Sequence, residues 1–81
     1  MEIAVAFGLA LKQRRQAAGL SQEALGYEAG LSKNYISLLE NGQRQPTLTS
    51  LLGLAQALKQ APSTLIDDLL ALQAQARAQG G

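Results

Sequence analysis

The sequence predicts an all-α protein of five short helices, and three observations carry that expectation. Apolar residues make up 47% of the 81-residue chain, yet aromatic ones only 4%. The core must therefore be built from Leu, Ile and Ala, a composition that favours helices over strands. These residues recur at the 3.6-residue spacing of amphipathic helices. Finally, the tripeptide Gly-Leu-Ser stands twice, at 19–21 and at 30–32, in positions that end one helix and begin another.

Residues 3–18 place Ile3, Phe7, Leu11 and Ala18 on one face, and Gly19 stops that helix. A glycine just past a helix end supplies the left-handed cap. A serine just before the next helix accepts a bond from its free backbone N–H groups. The leucine between them packs on the fourth residue of the new helix, which is Leu25 after Ser21 and Ile36 after Ser32. The repeat is punctuation. Between its two copies lies a helix at about 22–29, too short to stand alone. With the helix at about 33–41 it describes a helix-turn-helix. Asn41-Gly42 ends that second helix and a polar loop follows. Thr47 caps a helix at 48–59 whose apolar face is Leu48, Leu51, Leu52, Ala55 and Leu58. Pro62 opens the last helix, which carries Leu65, Ile66, Leu69, Leu70 and Leu72. Residues 1–73 are expected to form one domain, and 74–81 a frayed tail.

Composition removes several functions. There is no Cys or His, hence no disulfide, no usual zinc ligand set and no common general base. There is no glycine-rich phosphate loop and no nucleophile–base pair. Neither an enzyme nor a cofactor or metal is expected. No apolar run reaches the roughly 20 residues that span a bilayer, and no signal peptide is evident, so the expected location is cytoplasmic. Net charge is only +1, from seven basic and six acidic residues. The basic ones crowd the first 44 positions, whereas Asp67 and Asp68 lie in the last third.

The stretches "FGLALKQRRQAAGLSQEAL", "AGLSKNYISLLENG" and "QPTLTSLLGLAQAL" within 7–58 resemble the helix-turn-helix domain of phage repressors and Cro, the xenobiotic-response-element family. The resemblance implies a five-helix lambda-repressor-like domain. Leu25, Ala29, Leu31, Ile36 and Leu39 would close its core, and Gly26 would lie where the two helices of the motif approach most closely. Gly26 departs from the alanine usual there, at a cost of about 1 kcal/mol in helix propensity. The resemblance also implies a partly buried structural ion pair between Arg15 and Glu40, so that Arg15 is not a DNA contact.

Double-stranded DNA is the implied partner, with the helix after Ser32 entering the major groove by its first turn. The implied base contacts are Ser32, Lys33, Asn34 and Leu38. Lys33 suits guanine O6 and N7, and Asn34 suits adenine. Leu38 suits either a thymine methyl or the edge of the core. Implied backbone contacts are Gln22, Tyr35, Ser37, Arg44 and Thr47, with Lys12 and Arg14 equally readable as plain surface charges. Low net charge predicts weak non-specific binding and a need for a second subunit. Leu69, Leu70 and Leu72 are the expected homodimer interface, unless they complete one subunit's core. The expected function is a sequence-specific transcriptional regulator on a palindromic operator. It would be a phage repressor, a restriction-modification controller or an antitoxin-like autoregulator, with no small-molecule effector evident. The short chain fits a controller or small phage regulator somewhat better. The competing reading is a helical protein–protein adaptor, which would not require the polar first turn at 32–34.

Overall fold

The computed structural model describes residues 1–80. They form α1 (Ile3–Ala17), α2 (Gln22–Ala29), α3 (Lys33–Glu40), α4 (Leu48–Ala57) and α5 (Pro62–Gly80). Among the described residues, no helix is long and apolar enough to cross a membrane.

The punctuation works as its chemistry requires. Ser21 Oγ accepts the Ala24 N–H at 3.0 Å, and Ser32 Oγ accepts that of Tyr35 at 3.0 Å. Thr47 Oγ1 accepts the Ser50 N–H at 3.0 Å. Gly19 and Gly30 take the left-handed conformation, with φ of 72° and 73°. The following N–H groups then reach back to close the helices. Leu20 bonds Arg15 O at 3.1 Å and Leu31 bonds Gly26 O at 2.8 Å. The leucines of both tripeptides, Leu20 and Leu31, pack against the core. Helix α4 ends the same way, except that Lys59 occupies the left-handed position with φ 57°.

The core is built from Phe7, Leu11, Leu25, Ile36, Leu39, Leu54 and Leu65, all fully buried. α2 packs on α3 and α4, and α1 lies across both α3 and α5. Two helix faces differ from the sequence expectation. In α1 the buried face includes Ala6 and Ala10, while Ile3 and Ala18 are exposed. The small Ala6 and Ala10 side chains are fully buried in that face. In α4, Leu51, Leu54, Ala55 and Leu58 face inward, while Leu48 and Leu52 are 80% and 56% exposed. The cause is the close approach of α4 to α2 at Gly53, beside the Ala29 carbonyl, which fixes the rotation of α4.

The last helix also corrects the expected dimer interface. Leu69 is 5% exposed and belongs to the core, and Leu72 packs half-buried against it. Of the three leucines only Leu70 is exposed, together with Ile66. Leu65, Leu69 and Leu72 follow the helical repeat and share one face, so Leu69 and Leu72 are drawn in with Leu65. The helix does not stop at residue 73 but continues through Gly80.

Two glycines set how near the motif's helices come. A Cβ at Gly26 would stand 2.5 Å from the Leu31 carbonyl oxygen, so the lower helix propensity of glycine is offset by contact no other residue permits unmoved. A Cβ at Gly8 would stand 2.4 Å from the Leu39 oxygen and 2.7 Å from that of Glu40. Gly8 thus lets α1 lie directly on the C-terminal end of α3. Gly8→Ala should destabilise the fold by about 1–3 kcal/mol despite alanine's better helix propensity. Urea unfolding checks this, and a more stable variant would show that α1 and α3 can part at no cost.

Candidate nucleic-acid interface

The first turn of α3 is free of tertiary obligations. Ser32, Lys33 and Asn34 are all exposed. The Ser32 oxygen is occupied as an acceptor by its capping bond, but its hydroxyl hydrogen remains available. Among the described residues Lys33 and Asn34 form no ion pair or side-chain hydrogen bond. One turn on, Leu38 is half-buried, between the two positions the sequence left open for it. Tyr35 packs half-buried against the core, and Ser37 Oγ lies 3.5 Å from Asn41 Nδ2. The surface of α3 therefore grades from fully polar and exposed at its start to buried at Ile36, Leu39 and Glu40.

The flanks of this turn are also polar. Arg44 and Thr47 are exposed in and after the loop that follows α3. The Thr47 hydroxyl is already engaged, since besides capping α4 it donates to Ser50 Oγ at 2.9 Å. Gln22 is the first residue of α2, while the helix is capped by Ser21. Its amide is not wholly free, because Nε2 donates to Glu40 Oε1 at 3.1 Å. Nothing local in the chain announces that bond, which joins residues 18 apart.

The cations of α1 divide in two. Arg15 and Glu40 form the expected pair, with Nε donating to Oε2 at 2.6 Å and Nη2 to Oε1 at 3.0 Å. Arg15 Nη1 also caps the Leu20 carbonyl at 2.8 Å. The bond to Glu40 raises the Arg15 pKa above its ordinary value, with burial opposing. Arg14, a weak candidate for phosphate, is engaged elsewhere. Its Nε donates to Asp68 Oδ2 at 2.7 Å and its Nη2 to Oδ1 at 3.1 Å, which raises its pKa through hydrogen bond and charge together. Asp68 is thus a partner of α1 and not only a surface carboxylate. Lys12 remains exposed on that helix.

A short helix whose exposed polar first turn is presented by a second helix, with phosphate-suited groups on both sides, defines a helix-turn-helix unit. Residues 6–77 match the family model described as a helix-turn-helix domain, and the chain belongs to that family. The family's class is that of DNA-binding transcriptional regulators. One relative is an HTH-type transcriptional regulator of Sinorhizobium fredii, y4dJ, 48% identical over 44 residues, which are 54% of this chain and 57% of that protein. The match thus spans a little over half the length of that relative. The restriction-modification controller protein C.AhdI of Aeromonas hydrophila is similar in structure, with a TM-score of 0.75 and 44% identity over 76% of this chain and 94% of that one. The DNA-binding domain of the P22 c2 repressor is similar with a TM-score of 0.72 and 33% identity, over 74% of this chain and 79% of that one.

The two ion pairs should differ sharply in worth. Glu40→Ala leaves Arg15 uncompensated where its side chain is only 11% exposed, and should cost roughly 3–5 kcal/mol. Asp68→Ala breaks a bridge whose side chains are 37% and 27% exposed, where solvent screens the charges, and should cost far less. Denaturant unfolding of both variants checks the order, and equal losses would contradict it.

Proposed function

We propose that this chain recognises a specific duplex sequence as a homodimer, with α3 of each subunit in the major groove. The observation that carries the reading is the exposed, polar first turn of α3, held by an otherwise buried helix. Ser32, Lys33, Asn34 and Leu38 supply base contacts, and Gln22, Tyr35, Ser37, Arg44 and Thr47 supply backbone contacts. Thr47 contributes mainly through its cap, since its hydroxyl hydrogen is engaged. Of the three biological settings the sequence allows, restriction-modification control is the one supported by the 44% identity across 94% of C.AhdI. The domain is read as cytoplasmic and non-catalytic.

Two recognition helices about 34 Å apart, one DNA turn, require a two-fold partner. The apolar side chains left uncovered on α4 and α5 (Leu48, Leu52, Ile66 and Leu70) are the surface proposed for it. A soluble domain seldom leaves several large apolar residues exposed together without a use. Ile66→Glu with Leu70→Glu should leave helicity unchanged, give a monomer by sedimentation and weaken operator binding severely. Leu69→Glu should instead unfold the domain. A dimer that persisted in the double variant would move the interface elsewhere.

Binding itself is tested by salt. Lys33, Arg44 and Lys12 offer three cations per subunit, about six per dimer, so log K should fall against log salt with a slope of roughly −5. A flat response would refute DNA binding. Asn34→Ala should relax preference at one base position and cost roughly 1–3 kcal/mol, whereas Arg44→Ala should weaken all sequences alike. Sites selected from random DNA by the wild-type chain supply the comparison, and identical uniform losses would place the recognition turn elsewhere.

A further inference from the structure

We infer that Glu40 is a positioning residue for DNA binding: its carboxylate sets which way the Gln22 amide faces, and so aims a hydrogen of that amide at phosphate. The inference rests on the DNA-binding reading above and deepens it at one contact.

The need for such a device follows from the amide. Its oxygen and its nitrogen are nearly the same size, and a half-turn exchanges them. Phosphate oxygens only accept, so a glutamine in the wrong orientation presents an acceptor to an acceptor. A freely turning Gln22 would bind phosphate in only part of its orientations and would lose that freedom on binding.

Glu40 removes the ambiguity. An ionised carboxylate accepts and cannot donate, so the Gln22 atom 3.1 Å from Oε1 is the nitrogen. The carboxylate cannot turn away. Arg15 holds both of its oxygens, and its side chain is only 2% exposed. One hydrogen of Nε2 is committed to Glu40, and the second has no partner among the described residues. Gln22 sits at the very start of α2, where backbone N–H groups precede the first intrahelical bond and the helix dipole favours an anion. Donation to a carboxylate also keeps the amide in place before DNA arrives. Glu40 is the last residue of α3, so one carboxylate ties the phosphate anchor on α2 to the end of the recognition helix. The spacing between backbone grip and base reading is thereby fixed within the protein.

The test is a double-mutant cycle on the full chain, using a duplex selected from random DNA by the wild type. Binding is read by fluorescence anisotropy at one salt concentration, at a temperature where circular dichroism shows all four proteins folded. Gln22→Ala should weaken binding about tenfold. Glu40→Gln keeps the shape but can orient the amide either way, and should weaken binding several-fold. In the Gln22→Ala background Glu40→Gln should cost clearly less than it does in the wild type, because only its effect through Arg15 and α3 remains. Full additivity would overturn the inference, since Glu40 would then act by another route. A Gln22→Ala variant that binds like wild type would overturn it too. Should Glu40→Gln not fold, the wild-type side-chain amide of Gln22 answers by NMR. One of its two protons should be shifted and slow to exchange in the free protein, and the other should shift only when the duplex is added. Two protons at the ordinary shifts of an exposed glutamine amide, both exchanging fast with water in the free protein, would overturn the inference. If no duplex is bound in a salt-dependent way, the DNA reading itself fails. That outcome is recognisable because the proton held by Glu40 would still be protected.

Discussion

One carboxylate joins three helices. Glu40, at the end of α3, receives two hydrogens from Arg15 of α1 and one from Gln22 of α2. Arg15 in turn caps the carbonyl of Leu20, in the connection between α1 and α2. Taking these charges out of water is costly, and their mutual attraction returns that cost only when nearly every donor and acceptor is used. Here they are used, and among the described residues no buried side-chain polar atom lacks a partner. The gain is geometric more than energetic. Apolar packing of Ile36 and Leu39 holds α3 against the core, but such contacts tolerate sliding. A bidentate pair at the helix end does not.

Close backbone contact supports the same fixation. Gly8 lets α1 rest on the last carbonyls of α3, and Gly26 lets α2 meet the turn that leads into it. Helix α3, eight residues long, would not hold its shape alone. It is clamped at its C-terminal end by α1 and at its N-terminal approach by α2. Lys33 and Asn34 in its first turn can therefore stay exposed and polar, while Ser32 caps the helix.

What could be read from the sequence follows from range. Helix ends were legible because their causes are local: Gly19, Gly30, Ser21, Ser32 and Thr47 act within a few residues of themselves. The helix-turn-helix and the exposed 32–34 turn followed from those ends. Burial was legible where an apolar residue had one possible face, as at Leu25 and Ile36. It was misread where leucine was abundant, because Leu48, Leu51, Leu52 and Leu54 offer α4 more than one apolar stripe. Leu69 and Leu72 are drawn inward because α1 packs along α5, a pairing that no local pattern announces. Pairings across long separations, Arg14 with Asp68 and Gln22 with Glu40, leave no periodic trace. The Arg15–Glu40 pair was anticipated only through family resemblance.

The pairing of Arg14 and Arg15 inside the domain has a consequence for how the protein would respond to its own abundance. Lys12, Lys33, Arg44, Lys59 and Arg77 form no ion pair among the described residues, and the proposed interface takes three of them per subunit. With so few cations at the interface, one subunit gains little from the phosphate backbone, the term that dominates sequence-independent binding. Bulk chromosomal DNA would sequester little of the protein, despite its large excess of competing sites. Occupancy of an operator by the dimer proposed above would then be set by free subunits that must first associate. Below the association threshold it rises as the square of total subunit concentration, so filling the operator takes a smaller change in synthesis than a lone subunit would need.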